Sequence, residues 1–232
     1  MVAVPVVEGI EVLVVRTLAA LGIGAAAHEA TKAIPGTQDR TRDCAEAGNE
    51  AQCNQCRLQE GRVGQAAQPR YVTRRNRINY DYQLYIANLH AAPERFFYVR
   101  RGDNANEEVN LGWEWTKDMF GSGGEYTTVE WNYMGVWFDG FWRPLCTVVE
   151  AKANYEKMFG AEEGDPDKPW ADAIVEKWAD QDLDRQLQAI QVAAPQGKLE
   201  WHFMQQTPYI RAIDAGIPTT IARLTPMPLG GL

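Results

Sequence analysis

The chain has 232 residues, of which 45% are hydrophobic and eight are Trp, so it can build one full α/β core with an appendage but not two large domains. This apolar content excludes an intrinsically disordered chain. The formal net charge of −8 argues against broad electrostatic binding of nucleic acid, although a local basic cluster can still contact a polyanion.

The N-terminal region from about residue 10 to residue 27 is apolar but is interrupted by Glu11 and Arg16. Glu8 and Glu11 stand where a secretory signal would carry positive charge, and no continuous apolar run reaches about 18 residues. We therefore expect an Ala/Gly-rich helix packed on the body or on a partner, and neither a signal peptide nor a membrane-spanning helix. Export would then need a route that does not read a signal peptide.

Residues 35–70 are polar, Gln-rich and punctuated by glycine, which is typical of an irregular linker. We predict an N-terminal segment over residues 1–68, made of the helix and this cysteine-containing linker, and a body over residues 69–232.

Four cysteines are present, and three of them lie in the linker. Cys53 and Cys56 have the spacing of half a zinc site, but no second pair or nearby His completes it. A disulfide from Cys44 to Cys53 or Cys56, or free thiols, is favoured over zinc. Cys146 stands at the start of an apolar run and is predicted to be a small buried hydrophobe.

Within the body, apolar residues at helical spacing predict a helix over residues 79–89 that ends before Pro93. Alternating residues predict a β-hairpin over residues 127–142, with a short break at Met134-Gly135. The apolar run over residues 145–150 predicts a third, central strand.

Apolar residues from Trp170 to Ile190 indicate one face of a long helix, either continuous or broken near Asp180. A strand over residues 199–204, a short helix over 208–215 and a last strand over 219–224 follow. This order predicts an α/β (α+β) fold with a mixed central sheet and helices on both faces. It is also the order expected of the restriction-endonuclease-like fold, in which the hairpin and the third strand carry a metal site.

The residues that carry chemistry lie in the hairpin and the third strand. Asp139 begins a turn-like Asp-Gly pair, and Glu150 and Lys152 stand two residues apart, so in a strand both point the same way. If Asp139 lies on the neighbouring strand, two carboxylates and one ammonium converge. Two carboxylates can hold a hard divalent cation, and the lysine can orient a water or stabilise charge on a phosphate. The alternative is a hairpin turn followed by a solvated strand end.

We expect Glu150→Ala to abolish metal binding without loss of stability, since it removes one of several clustered negative charges. His202 lies on an apolar strand and is predicted to be a hydrogen-bonded core histidine, not a general base. The exposed basic cluster that includes Arg74, Arg75 and Arg77 is a weak candidate for nucleic-acid binding, because such runs are more often solvated faces.

These blocks together resemble the fifth family of restriction-endonuclease-fold toxins, Tox-REase-5, over about residues 71–224. The matching residues are Glu130 to Phe141, Cys146, Glu150 to Tyr155, Gln188-Ala189, Trp201 to Met204 and Tyr82-Gln83. The resemblance implies a PD-(D/E)xK nuclease core preceded by a small N-terminal helical and loop segment.

The resemblance also implies an antibacterial DNase toxin that uses Mg2+ or Mn2+ and is delivered into the target-cell cytoplasm, often by type VI secretion. Its partners would be DNA, a cognate immunity protein and a secretion carrier or chaperone, with no stable membrane insertion. An RNA-cleaving toxin of the same fold and a catalytically inactive interaction module remain alternatives.

Carried over by position, Asp139 and Glu150 would be metal ligands and Lys152 the catalytic lysine. The resemblance implies that Gln188 supports the site, although Gln186 and Gln191 compete for the inward position. A further acidic residue commonly completes such sites, and the choice between Asp81 and Glu130 stays open here.

Overall fold

The computed structural model describes residues 55–66, 71–101, 107–112, 114, 125–160 and 166–228. The predicted N-terminal helix and the cysteines Cys44 and Cys53 lie outside these residues.

Helix α1 spans Arg77–Asn88, α2 spans Ala171–Lys177, α3 spans Asp184–Gln191 and α4 spans Gln206–Asp214. A π-helical segment, Trp178–Leu183, joins α2 to α3, so the predicted long helix is continuous and is wound more loosely in its middle. Among the described residues, no helix is both long enough and apolar enough to cross a membrane.

The described strands form three sheets. In chain order they are β1 (Arg62–Gly64), β2 (Tyr98–Arg100), β3 (Tyr126–Thr128), β4 (Glu130–Tyr133), β5 (Val136–Phe138), β6 (Gly140–Trp142), β7 (Thr147–Lys152), β8 (Lys198–Phe203) and β9 (Ala222–Leu224). One sheet has the order β1–β4–β5, a second pairs β2 with β3, and the third has the order β6–β7–β8–β9.

The β6–β7–β8–β9 sheet is mixed and is covered by helices on both faces. Strand β6 pairs antiparallel with β7, whereas β7 with β8 and β8 with β9 are parallel. Val149 of β7 packs with Tyr82 and Ile86 of α1, while its neighbour Val148 belongs to the main core together with Ile190 of α3. The central position predicted for the third strand and the α+β fold are confirmed.

The predicted hairpin forms between β4 and β5, and its turn lies at Met134-Gly135, where both residues have positive φ. The second strand of the prediction, however, is divided at Asp139. Strand β5 ends at Phe138 in one sheet, and β6 begins at Gly140 in another. Asp139 lies in a bend, in agreement with the turn-like Asp-Gly pair, and it marks the point where the chain passes between two sheets.

Gly140 is required by the close approach of α1 to β6. A Cβ atom at this position would lie 2.7 Å from the Cα atom of Ala87 and 3.0 Å from Cγ2 of Val149. The backbone of a packed helix cannot move aside as a flexible side chain can, so the glycine sets how closely α1 lies on the sheet.

Gly140→Ala is expected to destabilise the protein by about 1–3 kcal/mol, because overpacking forces the helix backbone to shift. Urea denaturation measures this change. Gly112→Ala is the control, since among the described residues its added Cβ meets only the Asn110 side chain, at 3.4 Å, which is close to an ordinary contact. Equal midpoints for the Gly140→Ala variant and the wild type would contradict the close-packing account.

Residues 55–66 are part of the core and do not form the irregular linker that their composition indicates. A 3₁₀ helix spans Arg57–Glu60, and β1 pairs antiparallel with β4. Cys56 forms a disulfide with Cys146, with the Cα atoms 5.6 Å apart. Its predicted pairing with Cys44 and the interpretation of Cys146 as an unpaired hydrophobe are both wrong, because sequence proximity does not reveal a partner 90 residues away. The domain boundary near residue 68 stays a prediction.

Candidate active site

A cavity of about 310 Å³ opens beside the end of β7. Polar side chains from α1, β4, β7 and the start of β6 line it. The lining residues are Tyr71, Asn76, Asn79, Tyr80, Gln83, Glu130, Asp139, Glu150, Ala151, Lys152, Ala153 and Tyr155. The cavity therefore contains the Asp139, Glu150 and Lys152 side chains that the sequence singles out.

Asp139 is placed beside β7 by the antiparallel pairing of β6 with β7. The backbone N–H of Ala151 donates a hydrogen bond to Asp139 Oδ2 at 2.6 Å, which fixes the carboxyl against the strand end. Burial raises the pKa of this carboxyl well above its usual range, and the charges of Glu150 and Glu130 raise it further. The opposing effects of Lys152 and the Ala151 N–H are smaller.

Glu150 and Lys152 point the same way, as strand alternation predicts. Lys152 Nζ donates to Glu150 Oε1 at 2.6 Å, and only 7% of the lysine side chain is exposed. The ammonium also lies 4.6 Å from the ring centre of Trp201 and 5.6 Å from that of Trp178, within the range of cation–π attraction.

Lys152 remains an ammonium in this environment. Burial acts to lower its pKa, but the charge and hydrogen bond of Glu150, with further contributions from Tyr155 and Asp139, raise the pKa overall. A protonated lysine cannot remove a proton from water. It can donate hydrogen bonds and offset negative charge, which is the role the sequence assigns to it.

The glutamine that contacts the site is Gln186, so the assignment of Gln188 is wrong. Gln186 Nε2 donates to Glu150 Oε2 at 2.7 Å, and its side chain is almost fully buried. Gln188 is exposed. Gln186 lies three and four residues before the buried Ala189 and Ile190, so it shares their helix face, whereas Gln188 does not. That spacing is the signal that identifies the inward glutamine.

Of Asp81 and Glu130, the structure places Glu130 at the cavity. Glu130 lines the cavity and accepts a hydrogen bond from Gln83 Nε2 at 3.4 Å. Asp81 instead accepts from the Tyr98 hydroxyl at 2.7 Å and pairs with Arg77 at 3.0 Å, beside a second cavity on the other side of α1. Asp81 therefore does not support this site.

Two of the three candidate nucleic-acid contacts are exposed and close in sequence to residues that line the cavity. Arg74 and Arg75 lie in the turn between Tyr71 and Asn76, which both line the cavity wall. Arg77 forms an ion pair with Asp81. Arg74 and Arg75 stay candidates for contact with nucleic acid.

His202 is a core residue, as predicted. Its Nδ1 atom lies 2.9 Å from Thr225 Oγ1, and its ring packs edge-on against Trp142. It is opposite Ala151 in the β7–β8 register, whereas Glu150 and Lys152 stand opposite Trp201 and Phe203. Its side chain is therefore on the other face of the sheet from the Glu150–Lys152 pair.

The donor set of the cavity fits a hard divalent cation by its chemistry. Among the described residues, no three His, Cys, Asp or Glu side chains converge as tightly as a fully formed metal centre requires. Even so, Glu130, Asp139 and Glu150 line one cavity, and carboxylate oxygens are the ligands that Mg2+ and Mn2+ prefer. After burial, repulsion from the Glu150 and Glu130 carboxylates is the next cause of the raised pKa of Asp139. A cation bound among these carboxylates would relieve this repulsion.

The contacts of Glu150 predict a loss of stability in Glu150→Ala, contrary to the expectation from the sequence alone. Glu150 accepts hydrogen bonds from both Lys152 and Gln186, so its removal leaves the buried ammonium of Lys152 and the buried NH2 group of Gln186 without this acceptor. We expect a loss of about 3 kcal/mol in the free energy of unfolding, measured by urea denaturation. Glu176→Ala, on the exposed side of α2, is expected to change stability by less than about 0.5 kcal/mol. A Glu150→Ala variant as stable as the wild type would show that Lys152 does not depend on this carboxylate.

Comparison with known proteins gives one family. Residues 114–206 match the family model of restriction endonuclease fold toxin 5, Tox-REase-5. The match includes Glu130, Asp139, Glu150, Lys152 and Gln186, and it is shorter than the range over which the sequence shows the resemblance. No curated protein matches the chain. The resemblance predicted from the sequence is confirmed over the matched residues.

Proposed function

Because residues 114–206 match the family model of Tox-REase-5, a family of restriction-endonuclease-fold toxins, we propose that this chain is an antibacterial toxin that hydrolyses the phosphodiester bonds of DNA with a divalent metal. The family suggests that the protein is a nuclease toxin. The observation that carries the proposal is the convergence of Asp139, Glu150 and Lys152 on one polar cavity.

Each of these three residues has a role that its surroundings support. Asp139 and Glu150 would hold Mg2+ or Mn2+, which when bound supplies a Lewis acid for the scissile phosphate and a more acidic water. Lys152, kept protonated by Glu150, offsets the negative charge that develops on the phosphate during attack. Its position between the rings of Trp178 and Trp201 limits the movement of the ammonium.

The charge distribution around the cavity also supports a polyanionic substrate. Arg74 and Arg75, exposed in the turn between two residues of the cavity wall, can contact the phosphates of a bound strand. The carboxylates inside would repel a phosphate unless a cation screens them, so the same acidic interior that is unfavourable for DNA alone is consistent with metal-assisted binding.

The proposal includes a route and a partner, which rest on the family resemblance. The toxin would be exported with a carrier or chaperone of the type VI secretion apparatus and act in the cytoplasm of the target cell. A cognate immunity protein would protect the producer. Co-expression tests this part: a small protein encoded next to the toxin is expected to restore growth and to bind the toxin, and a neighbour that does neither would contradict the pairing.

The choice of substrate is tested with a DNA duplex and an RNA duplex of the same sequence, each incubated with the pure protein in Mg2+, in Mn2+ and in EDTA. We expect cleavage of the DNA duplex with metal and none in EDTA. Cleavage of RNA alone would identify the RNA-cleaving alternative. Intact duplexes, together with no heat of Mg2+ or Mn2+ binding in calorimetry, would identify an inactive interaction module.

A further inference from the structure

We propose that Trp201 is a positioning residue that fixes the Glu150 carboxylate through two independent contacts, one for each carboxylate oxygen. Trp201 lies opposite Glu150 in the parallel β7–β8 register and is fully buried. It therefore acts on the site through its neighbours and not by touching the substrate. The inference rests on the proposed nuclease function, because it assigns a role within the same site.

The first contact passes through Gln186. The indole Nε1–H of Trp201 donates to Gln186 Oε1 at 2.7 Å, and Gln186 Nε2 donates to Glu150 Oε2 at 2.7 Å. The indole N–H can only donate a hydrogen bond, so its partner in the amide must be the oxygen atom. With the oxygen committed to Trp201, the NH2 group must face Glu150, and a flipped amide would leave two buried donors opposed.

The second contact passes through Lys152. The Trp201 ring lies 4.6 Å from Lys152 Nζ, and that ammonium donates to Glu150 Oε1 at 2.6 Å. Cation–π attraction is strongest for indole rings and for desolvated cations, and both conditions hold here. Each oxygen of Glu150 is thus held by a group that Trp201 orients.

This arrangement matters because the orientation of a ligating carboxylate determines which lone pairs it presents to a cation. Replacing an outer partner of a metal ligand typically lowers metal affinity or activity about 10–100-fold. Gln186 and Trp201 are buried with little access to water, so no solvent molecule can readily replace the lost donor.

Trp201→Phe separates the two contacts, since a phenyl ring keeps an aromatic face for Lys152 but has no N–H. We expect the Mg2+ affinity measured by calorimetry without DNA, and kcat on supercoiled plasmid, to fall about 10–100-fold, with KM for the plasmid within about twofold of the wild type. The control is Trp142→Phe, the same change at a buried indole whose N–H donates to the carbonyls of Ile86 and Ala87. That variant is expected to lose stability to a similar degree and to keep the wild-type Mg2+ affinity.

Gln186→Leu and the double variant with Trp201→Phe test whether both residues act along one path. The double variant is expected to be no weaker than the more impaired single variant, because the second substitution removes a contact that is already lost. Gln186→Leu alone carries the test if Trp201→Phe does not fold.

Wild-type Mg2+ affinity in both single variants, or losses that multiply in the double variant, would overturn the positioning role. A wild-type protein that binds Mg2+ but leaves the plasmid intact would overturn the proposed nuclease function alone, since the calorimetric comparison still decides the role of Trp201. A wild-type protein that binds no Mg2+ would overturn both.

Discussion

Lys152→Met is expected to lower kcat for plasmid cleavage by about 10²–10³-fold, the range typical for loss of one group that stabilises transition-state charge. Methionine preserves most of the apolar stem between the rings of Trp178 and Trp201 and removes only the ammonium. The loss should therefore appear in catalysis and not in the binding of DNA, for which Arg74 and Arg75 are the candidate phosphate contacts.

The measurement is the initial rate of loss of supercoiled plasmid under saturating Mg2+, with far-ultraviolet circular dichroism to confirm the fold. Lys177→Met is the matched control, since half of the Lys177 side chain is exposed and its nearest carboxylate, on Asp182, is 3.9 Å away. The control should cleave at the wild-type rate. A Lys152→Met variant within about threefold of the wild type would show that Lys152 is a structural partner of Glu150 and nothing more.

Loss of the Cys56–Cys146 disulfide is expected to lower the free energy of unfolding by about 3–4 kcal/mol. The bond closes a loop between residues separated by 90 positions, and a cross-link over such a length removes much of the entropy of the unfolded chain. It also joins the 3₁₀ segment Arg57–Glu60 to the start of β7, the strand that carries Glu150 and Lys152.

Urea denaturation of the double variant Cys56→Ser/Cys146→Ser measures this effect. No reductant is added, so Cys44 and Cys53 are left unchanged. Its slope with urea concentration should be steeper than that of the wild type, because the unfolded chain without the cross-link is less compact and exposes more surface. An unfolding midpoint equal to that of the wild type would mean that the disulfide adds no stability beyond that of the packing around Cys146.

The sequence predicts those parts of the site that depend on short-range periodicity. Glu150 and Lys152 share a face because strand alternation needs only neighbouring residues, and the apolar residues before them indicate a buried strand. The hairpin turn at Met134-Gly135 is likewise a local signal. The shared face of Glu150 and Lys152 follows from the two-residue period of a strand and does not depend on the rest of the chain.

Features that depend on distant parts of the chain are those that the sequence misses. The partner of Cys56 is distant in sequence, and the choice between Asp81 on α1 and Glu130 on β4 depends on which cavity each residue lines in the folded chain. The assignment of Gln188 comes from the family resemblance, whereas the local spacing of Gln186 from the buried Ala189 and Ile190 in α3 indicates Gln186.

Metal-dependent cleavage of DNA is tested most directly by the fate of supercoiled plasmid incubated with the purified wild-type protein in Mg2+ and, in parallel, in Mg2+ with excess EDTA. We expect nicked and linear products with Mg2+ and no products with EDTA. We also expect none from Glu150→Gln, which keeps the shape of the side chain but removes its charge. Plasmid that stays supercoiled with Mg2+, or that is cut equally in EDTA, would contradict it.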